Sequence, residues 1–245
     1  IFWEPNDNAE DNLYNANNGK ETSDKQPLHI EFGVKLYATQ LMHEEDSFGK
    51  DYDSLAGAWD GIVDEDVPAA DENGVITLTT GAELAAFAIS VNEGTSYADK
   101  TVKLGADINL GNKAFTPIGA CDSKTYFQGT FDGAGYTIDG LYYNGPKSKV
   151  GLFCYAKNAT VKNCVVSADV TSQAGNVTDE EGNIVGTPAT GVLAGRVNEN
   201  AVISGIVTTG NVTVSAGVAG GVIGSAHQAA ISEVLSTANV GEGNT

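Results

Sequence analysis

Three ten-residue segments of this 245-residue chain align without gaps, and this self-similarity constrains the fold more than any other feature. They run Val161–Val170, Ile203–Val212 and Ile231–Val240, with starts 42 and 28 residues apart. A glycine-apolar box precedes each copy: Gly151-Leu-Phe-Cys154, Gly191-Val-Leu-Ala-Gly195 and Gly220-Gly-Val-Ile-Gly224. A looser fourth copy lies at Ile138–Tyr143, 23 residues before Val161. The alignment predicts two apolar ladders, Ile138, Val161, Ile203 and Ile231 in one and Leu141, Cys164, Ile206 and Val234 in the next. A repeat of this length holds two or three short strands and cannot bury its apolar face alone. Stacked on its neighbours at about 4.8 Å per rung, it forms a continuous interior.

The predicted fold is therefore all-β: a right-handed parallel β-helix, or solenoid, with a short N-terminal capping helix, preceded by an acidic strand-containing segment. The Leu-x-x-Leu-x-Leu-x-x-Asn frame of a leucine-rich horseshoe is absent, and a β-sandwich would not demand such column identity. The 30 glycines exceed the roughly 7% norm and suit a chain of many tight corners. One segment departs from the strand pattern. Thr80-Gly-Ala-Glu83 is a capping box, and Leu84, Phe87, Ala88 and Val91 follow at helical spacing until Asn92-Glu-Gly94. That helix is expected to cover the open first rung. Strands Val75–Thr79, Thr101–Leu104 and Ile108–Leu110 are expected around it.

Several short strings occur in order: Glu83-Leu84-x-x-Phe87-Ala88, Lys100-Thr-Val-x-Leu104, Asp107-Ile108-x-Leu110, Pro117-Ile-Gly119 and Gly129-Thr-Phe-Asp-Gly133. With the glycine boxes, they resemble the GLUG-motif β-helix modules of bacterial surface proteins over about Trp59 to Thr245. The pattern departs at Cys154, where the box usually ends in glycine, and in the long spacer before Gly191. The resemblance implies cell-surface display and adhesion-type roles, with no active site.

Upstream, Leu28, Ile30, Phe32, Val34 and Leu36 alternate with polar or small residues, the two-residue period of a half-buried strand. The run Phe32–Gln40, with Glu45-Asp-Ser-Phe-Gly49, resembles the terminal strand of camelysin-like biofilm-matrix proteins. That implies a Gram-positive source and self-association by strand exchange. The domain reading is an acidic segment over 1–54, the possible tail of a preceding β-sandwich, an acidic linker and lead-in over 55–75, and the β-helix over 76–245. The last domain breaks off in mid-pattern, so a piece of something longer is expected.

Charge excludes some functions. The net charge is −19, of which residues 1–74 carry −14, and Arg196 is the single arginine. Such a field repels nucleic acid and anionic membrane, and no apolar run is long enough to span a bilayer. The acids at Glu44–Asp46, Asp51, Asp53 and Asp64–Asp66 read as a solvated linker in preference to a calcium site. Asp71-Glu-Asn-Gly74 lacks the first and last ligands of an EF-hand loop and reads as a turn. His29, His43 and His227 have no metal spacing. Cys121, Cys154 and Cys164 are too few and scattered for a disulfide framework, and the last two read as small core residues.

Pectin-cleaving lyases and hydrolases use the same fold, which makes Asp107, Asp132, Asp139 and Asp169 candidate carboxylates, with Arg196 near Glu199 as a basic partner. Their recurrence at coil corners favours structural duty; no catalytic, metal or cofactor residue is assigned. One elaboration stands out. The longer repeat carries 14 extra residues around Gln173–Thr190, and Val177–Val185 reads as a hairpin arm with Asp179, Glu180 and Glu181 at its tip. The expected function is a non-catalytic extracellular structural or adhesion module. Its partners would be a protein or glycan ligand, or a second copy engaged through Leu28–Leu36. The alternative is a carbohydrate-active β-helix enzyme.

Overall fold

The computed structural model describes residues 57–120 and 125–243. The strand expected over Leu28–Leu36, the acids from Glu44 to Asp53, His29, His43 and Cys121 lie outside them. The described chain is mostly β, with parallel sheets. The largest sheet orders β1 (Val75–Leu78), β2 (Thr101–Leu104), β4 (Thr130–Asp132), β8 (Thr160–Ser172), β13 (Val202–Val214) and β16 (Ala230–Ser236). In the same sheet β3 (Ile108–Asn109) pairs with β5 (Thr137–Gly145), β5 pairs with β8, and β17 (Asn239–Glu242) pairs with β13. A second sheet joins β6 (Lys149–Val150), β11 (Ala189–Gly191) and β14 (Val218–Gly220). A third joins β7 (Phe153–Lys157), β12 (Ala194–Asn198) and β15 (Ile223–His227). From β6 onward the chain visits these sheets in a fixed order three times: β6, β7, β8; β11, β12, β13; β14, β15, β16.

Register follows the repeated residues. Val161, Ile203 and Ile231 lie side by side, as do Cys164, Ile206 and Val234, and Asp169, Asn211 and Asn239. The looser copy was placed wrongly. Ile138 pairs with Ile108 and Val166, not with Val161, and Leu141 pairs with Ala168, not with Cys164. The residue beside Val161 is Phe131, and the column continues through Val102 to Ile76. The physical reason is that β4 and β5 divide the work of one long strand. β4 covers the first part of β8 and β5 the second, with left-handed Ala134 and Gly135 at the turn between them. The ladders are also not buried throughout. Ile203 and Ile206 are fully buried, but Ile231 is 46% exposed and Val234 half-buried, because among the described residues β16 has a strand partner on one side only.

The helix α1 (Gly81–Asn92) carries the expected capping box: Thr80 accepts from the Glu83 N–H, and the Glu83 carboxylate accepts from the Thr80 N–H. It lies between β1 and β2, inside the first repeat and not ahead of it. Its fully buried Phe87 meets Tyr97, Phe127 and Phe131 at ring-centroid distances of 4.9, 5.7 and 6.3 Å. Phe153 extends the cluster, 5.5 Å from Phe127 and 5.4 Å from Phe131. Trp59, in the segment read as a linker, is buried edge-on to Phe115. Asp71 closes the turn before β1 by accepting from the Asn73 and Val75 N–H groups.

Cys154 and Cys164 are both buried, as expected of small core residues, but only one of them is a free thiol. Cys154 is disulfide-bonded, while Cys164 is free and buried. An odd count of widely spaced cysteines hides a single bridge, because spacing along the chain says nothing about which corners the fold stacks together.

Candidate functional site

The 14 extra residues leave the sheets as an antiparallel hairpin of β9 (Val177–Thr178) and β10 (Ile184–Gly186), the arm read from the sequence. Its three acids differ in role. The Asp179 carboxylate accepts from the Asn183 N–H at 2.7 Å and from the Asn183 side-chain amide at 3.1 Å, bonds that hold its pKa below the ordinary value. Asp179 therefore builds the turn, and Glu180 and Glu181 are left exposed to solvent. Val177, Ile184 and Val185 are also exposed, at 55%, 59% and 65%. Three bare aliphatic side chains on one small hairpin gain nothing from folding, so they are surface available for contact.

A shallow depression of about 470 Å³ opens where β2, β4, β8 and β13 pass side by side, lined by Lys103, Asp132, Gly135, Asn163, Cys164 and Gly205. Asp132 accepts from the Ala134 N–H at 2.9 Å and the Asn163 amide at 3.2 Å, with Lys162 Nζ at 3.3 Å. Partial burial pushes its pKa up, but these donors outweigh it and hold the carboxyl below its ordinary value. A carboxylate so satisfied is a poor proton acceptor. The Cys164 thiol is pushed up to about 12, by burial first and by the Asp132 charge second, so it carries almost no thiolate at neutral pH. The other candidate carboxylates stand apart. Asp107 accepts from the Thr137 N–H, Asp139 is exposed beside Asn109, and Asp169 is exposed in its column with Asn211 and Asn239.

The third sheet turns a polar and aromatic face outward. Tyr155, Arg196 and Ser225 form one row across β7, β12 and β15, and Lys157, Asn198 and His227 form the next. Alternation of two puts these side chains opposite buried Ala156 and Val197. Tyr126 joins the first row, its ring centroid 5.4 Å from that of Tyr155. The Asn198 amide donates to the Tyr155 hydroxyl at 3.1 Å, and its oxygen lies 3.0 Å from His227 Nδ1. Glu199, the acid expected beside Arg196, pairs instead with Lys157 at 2.7 Å and raises that lysine's pKa. Arg196 is half-buried with Nε shielded and without a hydrogen-bond partner, and among the described residues no carboxylate pairs with it. Tyr126, Tyr155 and Asn198 were not singled out from the sequence. The signal was the 29-residue step from Asn198 to His227, the same step that separates Ala194 from Ile223.

Among the described residues no three His, Cys, Asp or Glu side chains gather closely enough to hold a metal ion, and no helix is long and apolar enough to cross a membrane. No protein-family model, curated protein or solved structure matches the chain.

Proposed function

We propose that residues 76–245 form a right-handed parallel β-helix and that the chain serves outside the cell, at the surface of a Gram-positive bacterium, as a non-catalytic structural or adhesion module. The observation carrying this reading is the repeated circuit of three parallel sheets, with successive strands of each sheet one repeat apart and in register. Rigid stacked strands of this kind suit display and spacing. The resemblance of the glycine boxes and the Gly129–Gly133 string to GLUG-motif modules supports the same reading. So does the disulfide at Cys154, since such bonds persist in oxidising compartments. Against catalysis weigh the dispersed carboxylates and the fully satisfied Asp132.

Two contact elements are proposed within this module. Glu180 and Glu181, with Val177, Ile184 and Val185 behind them, form an arm for a protein ligand that carries basic groups around an apolar patch. Leu28, Ile30, Phe32, Val34 and Leu36 form a strand for self-association, by addition to a sheet edge of a second copy.

Thiol trapping in acid on producing cells tests the compartment. Cys154 should resist alkylation until reduced, whereas Cys164 should react only after denaturation, being buried and un-ionised at neutral pH. Recovery of Cys154 as a free thiol from cells would sink the extracellular reading. Removal of residues 1–54 tests the strand: the remaining chain should melt cooperatively and stay monomeric by light scattering. Persistent self-association of the truncated protein would refute the assembly role.

A further inference from the structure

We propose that the outward face built by Tyr126, Tyr155 and Arg196, bordered by Asn198 and His227, binds a glycan of mostly neutral sugars that carries a carboxylate. The inference rests on the extracellular reading only in that such glycans are met there; the geometry itself is independent of it.

Arg196 is the starting point. It is the sole arginine of an acidic chain, it stands on a strand interior and not on a loose loop, and Glu199 is already taken by Lys157. Its Nε, shielded and donating to nothing, leaves the guanidinium short of its hydrogen-bonding capacity. A planar fork of N–H donors is the group best matched to a carboxylate, which takes two parallel bonds from it. Turning the guanidinium toward an incoming carboxylate gives the Nε–H a partner that no described residue supplies.

The neighbours supply the rest of a sugar site. Tyr126 and Tyr155 lie half-buried with rings 5.4 Å apart, a pair of apolar bodies with polar tips on the same row as Arg196. Such rings pack against the apolar faces of sugar rings while their hydroxyls meet hydroxyls. The Tyr155 oxygen accepts from Asn198, so its own O–H is left to donate outward. Asn198 is fixed from the other side by His227, and pre-set donors and acceptors of this kind lose little freedom on binding.

Charge narrows the ligand further. Lys157, whose Nζ lies 5.4 Å from the Tyr126 ring centroid, is neutralised by Glu199, so among the described residues the face offers Arg196 as an unpaired cation and not a basic patch. The chain as a whole carries −19 and repels a polyanion. A ligand with isolated carboxylates among neutral sugars satisfies Arg196 without meeting that field at every residue.

The lone arginine makes the test direct, because an isotope-labelled full chain gives a single Nε–Hε correlation. It is titrated with sialyllactose and with a glucuronic-acid-bearing xylotriose, and with lactose and xylotriose as their neutral parents. The correlation should move with one or both acidic sugars and stay in place with the neutral ones. Arg196→Gln should bind the acidic sugar about tenfold more weakly, with Arg196→Lys between it and the parent protein. A well-dispersed amide spectrum qualifies each variant as folded. The proposal is overturned if neither acidic sugar moves the correlation, if the neutral parents move it equally, or if Arg196→Gln keeps full affinity. Those outcomes would leave Cys154 oxidised on cells and the extracellular reading standing; a reduced Cys154 would remove that reading without touching the titration.

Discussion

Ile206→Asp should abolish the cooperative unfolding transition at neutral pH. Ile206 is fully buried, with Cys164 beside it on β8 and Val234 beside it on β16. A carboxylate placed there has no cation within its column, and burying an unpaired charge costs several kcal/mol even after relaxation. A native domain has only about 5–15 kcal/mol of stability, and the apolar contacts of the isoleucine are lost as well. Ile206→Val, which removes one methylene group and adds no charge, should cost only about 1 kcal/mol. A melt by circular dichroism distinguishes the two: a cooperative transition of the aspartate variant within a few degrees of the parent would show that this column is not the interior.

Gly210→Ala should be the most damaging of the single-methyl changes. Gly210 sits inside β13 opposite Ala168, with φ +104°, and an added Cβ would overlap the Ala168 carbonyl oxygen. Left-handed strain and forced backbone movement each cost of order 1–3 kcal/mol, so the midpoint should fall by on the order of 10 °C. Gly182→Ala is the matched control. That residue also has positive φ, +85°, but lies at the hairpin tip with nothing near its would-be Cβ. Equal melting temperatures for the two variants would place the cost in backbone conformation alone and remove the close approach of β8 and β13.

Repeated residues made part of this fold legible. Val161, Ile203 and Ile231 share a column with matching neighbours, so their alignment in the sequence became their register in the sheet. The earlier strands carry the same interior column on different side chains, Ile76, Val102 and Phe131, and a search for identical residues passes over them. The surviving signal was the threonine ahead of Val102, Phe131 and Val161, since Thr101, Thr130 and Thr160 are also neighbours, whereas Ile76 follows Val75. Ile138 misled because its spacing to Leu141 copies that of Val161 to Cys164, while its strand pairs with a later stretch of β8.

The candidate sites were legible only where the cue was local. The hairpin arm announced itself as an excess of length, and the turn role of Asp179 needed only Asn183 four residues on. The row of Tyr126, Tyr155 and Arg196 draws on three different passes of the chain, and nothing near any one of them names the others. The bridge at Cys154 was hidden for the same reason. Conversely, the nearness of Glu199 to Arg196 in sequence suggested a pair that strand alternation and Lys157 prevent.

The return of register after the hairpin arm has a consequence for how such a chain varies. Val202 onward pairs with Thr160 onward residue for residue, although the repeat between them is 14 residues longer than the next. The sheets thus place no requirement on the length of that connection. Doubling a flexible loop costs only about 0.6 kcal/mol in closure entropy, far less than a misplaced interior side chain. Changes of length and sequence at this corner are nearly neutral for folding, whereas an insertion of one residue inside β8 or β13 would move every interior side chain beyond it to the opposite face. This corner therefore tolerates change that the paired strands do not. The arm proposed for ligand contact is free to diversify there while the strands beneath it stay unchanged.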